Sequence, residues 1–220
     1  MCNMFDSGLK KKCETLLVQG LSCMKIEVDA HLQAQMIAYL ALLQKWNNAF
    51  NLTAVRDPLK MVGRHLLDSL AISPYLHGEH MIDVGTGAGL PGIPLSILHP
   101  EKSFFLLDSN QKKQIFLTQV VKSLSLKNVQ CVHSLVEAYQ PTEKFSTILT
   151  RAFASPAEMI HLTKHLLAED GQFLAMMGKV PEDIQLPAGF EVKQIISLKI
   201  PGEEAERHLG IVTREKNHKE

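Results

Sequence analysis

Apolar residues fall at helical spacing through the first third of the chain and in short blocks after it. A short apolar pattern around Cys13 to Val18 predicts a first helix. Leu32, Met36, Tyr39, Leu40, Leu43 and Trp46 predict a second, with Asp29 as its cap. At that spacing Tyr39 and Trp46 read as core. The stretch Asn47-Asn48-Ala49-Phe50-Asn51 breaks the pattern and reads as a turn. Asp57-Pro58 is a helix start, with the acid as cap and proline at the first position. Leu59, Val62, Leu66, Leu67 and Leu70 give the helix after it an apolar side, and Ser73-Pro74 ends this part.

From Met81 the pattern alternates between strand and helix. Strands are predicted at 81–84, 103–107, 128–132, 145–150, 171–177, 190–198 and 207–213, and helices near 91–98, 110–124 and 155–167. Such alternation implies right-handed crossovers and a mostly parallel sheet. The last two strands are joined by only Lys199 to Glu206, a length that suits an antiparallel pair. The expected fold class is α/β: a Rossmann-like, mostly parallel seven-stranded sheet with an antiparallel C-terminal hairpin, plus an N-terminal helical extension. The hairpin fits the variant of this fold that methyltransferases use. The expected division is 1–80 for the helical extension, 81–214 for the sheet domain and 215–220 for a charged tail.

The most informative stretch is Met81-Ile82-Asp83-Val84-Gly85-Thr86-Gly87-Ala88-Gly89-Leu90-Pro91-Gly92. It reads as strand, tight turn and helix start, and in open α/β sheets ligands bind at such turns. Two ligands compete for it. Gly85-x-Gly87-x-Gly89 looks like the first motif of S-adenosyl-L-methionine (SAM) methyltransferases. Gly87-x-Gly89-x-x-Gly92 satisfies the dinucleotide fingerprint. Asp83 tilts the choice, because a carboxylate repels a pyrophosphate and suits a ligand bearing a sulfonium and an amino group. Asp108 ends the second strand, 19 residues beyond Gly89, a spacing that suits an acid binding ribose hydroxyls. It supports a nucleoside without choosing one; as an alternative it caps the helix that follows. Glu137 stands by position where methyltransferases hold adenine, beside the apolar Val136.

The fourth strand ends Thr150-Arg151-Ala152-Phe153-Ala154-Ser155-Pro156, where methyl acceptors usually dock. The D/N-P-P-Y/F motif that binds exocyclic amines is absent there, and no Pro-Cys nucleophile occurs in the chain. The acceptor left is one with a free lone pair, such as a ring nitrogen; guanine N7 is of that kind and needs no general base. Arg151 can hold a phosphate or a guanine edge, or simply form a salt bridge.

Composition adds limits. The chain has 220 residues, 45% hydrophobic content and no formal net charge, so an RNA site has to be a local patch. Four cysteines without a C-x-x-C pair suggest neither zinc nor a dithiol motif. The start lacks signal-peptide features and no apolar run is long enough to span a membrane. A cytoplasmic protein with no membrane partner is expected. His161 and His165 lie four apart on a predicted helix, but no third ligand or H-E-x-x-H motif accompanies them, so no metal is expected. Lys10 to Lys12 read as a solvated helix face.

Taken together, the chain resembles the bacterial small-subunit ribosomal RNA guanine-N7 methyltransferases, the glucose-inhibited division protein B family. The matching segments are Phe50-Asn51-Leu52-Thr53-Ala54-Val55-Arg56, Arg64-His65-Leu66-Leu67-Asp68-Ser69, Ile82 to Leu95, Leu107-Asp108-Ser109, Arg151 to Ser155 and Arg207-His208-Leu209. The resemblance implies SAM-dependent N7 methylation of the guanine at position 527, in the 530 loop of 16S rRNA. The partner is then 16S rRNA, in the small ribosomal subunit or its assembly intermediate. It implies cofactor contacts from Gly85 and Leu90 in the loop, where Asp83, Gly87 and Gly89 are the further cofactor candidates, from Asp108 at the ribose and from Val136 and Glu137 at the adenine. It places Arg151 at the edge between cofactor and acceptor, and Arg56, Arg64, His65 and Arg207 on the RNA side. Two positions depart from the family: Leu135 stands where an arginine is common. Met177 stands where a lysine is common, with Lys179 two places later as a candidate substitute. A nicotinamide-dependent oxidoreductase, or a non-catalytic RNA-binding protein on the same fold, remain the alternatives.

Overall fold

The computed structural model describes residues 5–151 and 155–215. Helix α1 (Ser7–Met24) is capped by Asp6 and α2 (Ala30–Phe50) by Asp29, whose side chain accepts from Leu32 N–H. The sequence pattern predicts a turn over Asn47 to Asn51, but α2 runs on to Phe50 and stops at Asn51, which is left-handed (φ 51°). Asn47 is buried, its amide donating to Thr53 O (2.9 Å) and accepting from Thr53 N–H (2.9 Å). A polar residue that breaks the apolar pattern here anchors the next loop rather than ending the helix. α3 (Pro58–Met61), capped by Asp57, continues into a π-helical turn (Val62–Leu67) and then α4 (Asp68–Leu70).

The strands are β1 (His80–Val84), β2 (Ser103–Asp108), β3 (Val129–His133), β4 (Phe145–Thr150), β5 (Leu167–Met177), β6 (Phe190–Ser197) and β7 (His208–Arg214). Their order in one sheet is β3-β2-β1-β4-β5-β7-β6. The first five run parallel, while β7 is antiparallel to both β5 and β6. The helices between them are α5 (Gly92–Leu98), α6 (Gln111–Leu124) and α7 (Pro156–Thr163). The helix predicted over 155–167 ends at Thr163 and passes through a 3-10 turn into β5, which starts at Leu167, earlier than the predicted 171. Of the extra residues Leu167 pairs with Phe145 of β4, and a register irregularity separates that pair from Thr147 and Gln172.

Alternation along the strands divides the core. Ile82, Val84, Leu107, Ile148 and Phe173 pack with Met159 and Ile160 of α7 on one face. Met81, Phe104, Leu149 and Leu174 pack with Leu95 of α5 on the other. The N-terminal helices share a core with α5 and α6: Leu17, Met36, Leu40 and Leu67 lie in one cluster with Ile93, Phe116 and Leu117. Tyr39 makes the connection specific, its buried hydroxyl donating to Ala88 O in the glycine turn (2.8 Å). The helical segment thus fixes the shape of the turn that precedes α5.

Candidate functional site

The turn after β1 is held almost wholly by its own chain. Gly85 N–H and Thr86 N–H donate to Leu107 O on β2, and Gly89 and Leu90 N–H both donate to Thr86 O. Gly87 N–H donates to Asp108 Oδ2 (3.0 Å) and Gly92 N–H to Asp83 Oδ2 (2.8 Å). Asp83 is 1% exposed and also accepts from Thr86 Oγ1 (2.7 Å). Its other oxygen, Oδ1, is buried with no partner among the described residues. Burial pushes this carboxyl up to about 6, despite the Thr86 and Gly92 bonds that pull it down. A buried carboxylate oxygen left bare is costly and marks a place where a ligand donor fits.

Gly85 and Gly87 are left-handed (φ 68° and 61°), and the space their missing side chains would take is open. Here the bare backbone forms a wall against which a ligand can lie. Gly89 and Leu90 are placed differently. A Cβ on Gly89 would meet Ile93 and Leu117 inside the molecule, and Leu90 is itself part of the core.

A cavity of about 380 Å³ opens beside Gly85, lined by Val84, Leu107, Asp108, Lys113, Val136 and Glu137 among others. Asp108, nearly buried, ends β2 at its floor. It is not the cap of α6, a place Asn110 takes with bonds from Lys112 and Lys113 N–H. Asp108 Oδ1 instead accepts from Asn110 N–H (2.9 Å), and Oδ2 pairs with Lys113 Nζ (3.1 Å). Val136 opens a 3-10 turn (Val136–Ala138) and is half-buried, while Glu137 is exposed. Leu135, 62% exposed, puts an apolar side chain at the rim where the family resemblance expects an arginine. These features fit a nucleoside with a cationic tail: an acid for the diol, an apolar turn for the base, and, on the strand before the glycine turn, a buried carboxylate oxygen without a partner among the described residues. They fit a dinucleotide poorly. Phosphate-binding turns offer free N–H groups to the anion, and here Gly87 and Gly92 N–H already face carboxylates.

Arg151, just past β4, donates from one Nη to Arg64 O (2.9 Å) and pairs with Asp68 Oδ2 (3.2 Å). Arg207, just before β7, pairs with Asp68 Oδ1 (3.1 Å), and Arg64 Nε pairs with Glu203 Oε2 (3.1 Å). Two of the sequence-predicted arginines thus meet on one aspartate, and a third, Arg64, adjoins them through its backbone carbonyl while its side chain pairs with Glu203. Arg151 lines a cavity of about 240 Å³ with Lys179, Met159 and Met177, and a smaller one of about 170 Å³ with Asp68 and Arg207. Ala152 to Ala154 of the predicted acceptor segment lie outside the described residues. Arg56 stands apart, exposed and held on the last turn of α2 by Asn47 O (3.3 Å) and Asn51 Oδ1 (2.8 Å). His65 faces inward. It is buried, its Nε2 lies 2.9 Å from Thr53 Oγ1, and burial lowers its pKa to about 4, leaving it neutral. That position supports the 53–56 loop rather than presenting a ring to RNA.

Asp68, Tyr39 and Lys113 hold the site without a local sequence signal for doing so, Tyr39 reading only as core. Asp68 lies inside a matched segment, yet its partners are remote in the chain, so no spacing reveals it. Among the described residues, no group of three His, Cys, Asp or Glu is placed to hold a metal, and no helix is long and apolar enough to cross a membrane. His165, one of the predicted pair, instead has Nε2 on Tyr139 O (3.2 Å).

Comparison with known proteins bears on the family and on the fold. The family model for rRNA small subunit methyltransferase G matches residues 32–210. The ribosomal RNA small subunit methyltransferase G of Vibrio campbellii is 48% identical over 214 residues, covering 96% of this chain and 100% of the relative. That of Marinobacter nauticus is 50% identical over 205 residues, covering 92% and 96%. The fold is similar to that of a solved NADB-Rossmann superfamily protein from Streptococcus agalactiae, with a TM-score of 0.55, 13% identity and 67% of each chain covered. The chain belongs to the rRNA small subunit methyltransferase G family.

Proposed function

We propose that the protein transfers a methyl group from SAM to N7 of one guanine, at position 527 in the 530 loop of 16S rRNA, in the small subunit or its assembly intermediate. Family membership carries SAM-dependent rRNA methylation; the atom and the loop are the finer reading. The observation that carries the cofactor is the cavity that brings Gly85, Asp108, Val136 and Glu137 together at an open stretch of glycine backbone; the buried Asp83 Oδ1, unpartnered among the described residues, supports it. The absence of an amine-binding or cysteine motif at the end of β4 supports N7.

When bound, SAM supplies a methyl carbon made electrophilic by its sulfonium. The chain's own residues bind and align. Asp108 accepts from ribose hydroxyls, and Lys113, now on that carboxylate, gives way to them. Val136 lies against the base and Glu137 accepts from its amino group. Asp83 Oδ1 takes a donor of the cationic methionine end. Arg151 and Arg207 have further N–H groups to aim at a guanine edge or a phosphate, and Lys179 adds a cation to the same cavity in place of the family lysine missing at Met177. N7 carries no proton, so orientation does the work that a base does elsewhere, and alignment of this kind provides several kcal/mol.

The test is direct. Isothermal calorimetry is expected to show S-adenosylhomocysteine binding, weakened about 10-fold or more in Asp108→Asn, the range for losing a hydrogen bond to a charged group. Treated 16S rRNA is expected to acquire one borohydride- and aniline-sensitive guanine. NADH binding without S-adenosylhomocysteine binding would overturn the cofactor, and methylated RNA resistant to cleavage would overturn N7.

A further inference from the structure

We infer that Asp68 is a positioning residue of the acceptor site: one buried carboxylate that sets both the direction and the net charge of the two arginines facing the RNA. The inference rests on the proposed function for the identity of the substrate. It rests on the geometry for everything else.

Asp68 is 2% exposed, and each of its oxygens faces a different arginine. Arg151 comes from the end of β4 and Arg207 from the start of β7, so the carboxylate ties two separate strand ends to the helical segment. The π-helical turn makes this possible. Asp68 N–H donates to Gly63 O, five residues back, instead of to Arg64 O as an α-helix requires. Arg64 O accepts Arg151 instead. Arg151 is therefore held by two acceptors from one turn, on one Nη, and among the described residues its other N–H groups have no acceptor. Arg207 is fixed likewise between Asp68 and Glu206 O (2.8 Å).

Charge gives the second half of the argument. Two guanidinium groups and one carboxylate leave the cluster itself a single positive charge, beside the one that Lys179 brings to the Arg151 cavity. That charge attracts phosphate, and it is smaller than two bare arginines would place beside a sulfonium and a base becoming cationic. Removing the carboxylate is then expected to have opposite effects on binding and on turnover. RNA binding tightens, because two cations face the phosphates. Turnover falls, because the arginines lose their direction and crowd a developing positive charge. A merely structural residue would weaken both together.

The experiment compares Asp68→Asn, Arg207→Gln and the unaltered protein. Filter binding to unmethylated 16S rRNA is measured between about 50 and 300 mM KCl, where the slope of log affinity against log salt changes by about one per phosphate contact. Steady-state methylation and S-adenosylhomocysteine affinity are measured alongside. Asp68→Asn is expected to steepen the slope by about one, keep S-adenosylhomocysteine affinity within about twofold and lower kcat at least about tenfold. Arg207→Gln is expected to flatten the slope by about one. Should Asp68→Asn not fold, the Arg207→Gln slope decides alone, since an unchanged slope means that the cluster presents no net charge to RNA. Equal slopes in all three proteins, or weaker RNA binding by a folded Asp68→Asn, overturn the inference. Binding slopes do not depend on which guanine atom is methylated, so failure of the N7 reading shows separately, in the unaltered protein's cleavage pattern.

Discussion

Asp83→Asn separates the two roles of the glycine turn, shape and ligand binding. The ordinary carboxyl value is 3.8 and burial raises Asp83 to about 6. A difference of that size corresponds to about 3 kcal/mol at pH values above 7. Its sign follows from proton binding. Between the two values the folded protein holds a proton that the unfolded chain has released, so the contribution to stability is present in full below 3.8 and is lost as pH rises through 6. About half of the loss has occurred by pH 5. An asparagine of the same shape keeps an oxygen for Thr86 Oγ1 and Gly92 N–H, and places an amide nitrogen where Oδ1 is bare. The buried amide then lacks an acceptor, which costs about 1–3 kcal/mol. The net gain at pH 8 is about 1 kcal/mol, or a Tm higher by about 2–4 °C. At pH 5 the gain disappears or reverses. Thermal melts of the ligand-free protein and the variant from pH 5 to 8 measure this. Calorimetry with S-adenosylhomocysteine is expected to show a loss of about 10-fold or more, since the ligand's cationic end loses its partner. A variant that melts in parallel with the unaltered protein at every pH would refute the burial argument. Undiminished ligand affinity would refute the assignment of Oδ1 to the ligand.

Two further substitutions test how the turn is built. Tyr39→Phe removes the donor to Ala88 O and leaves a buried carbonyl unpaired; a loss of about 1–3 kcal/mol in urea melts is expected, together with weaker S-adenosylhomocysteine binding, although Tyr39 lies outside the cavity. Gly92→Ala places a Cβ 2.3 Å from Leu106 Cδ2 and 2.9 Å from Asp83 Oδ2. A cost of about 1–3 kcal/mol is expected from overpacking, and an unchanged Tm would show that α5 shifts freely.

The sheet was largely legible because its strands carry their own signals: apolar blocks such as Ile148-Leu149, bounded by turn residues, need no knowledge of their neighbours. The acids at the ends of β1 and β2 were legible for the same reason, since a strand end and a glycine turn are local. Asn47 differs from its sequence reading because a buried amide holding Thr53 looks, in sequence, like any polar interruption. The π-helical turn left no trace either, as Val62 to Leu67 keep an ordinary helical apolar pattern. Asp68 shows the limit most clearly. Its two arginines lie beyond β4 and before β7, and only the folded sheet brings them to it. His65 carries the opposite lesson: a histidine between basic and apolar residues looked available, and the fold turned it inward onto Thr53.

β7 follows every other element in the chain yet lies between β5 and β6 in the sheet. During synthesis, β6 therefore has no neighbour to pair with until residues 208–214 emerge. A stop codon shortly before residue 207 would remove far more than a tail. It would strand β6, expose the edge of β5 to association with other chains, and leave Asp68 with one arginine. Truncations late in this gene should therefore behave as complete losses, with aggregated rather than partly active product.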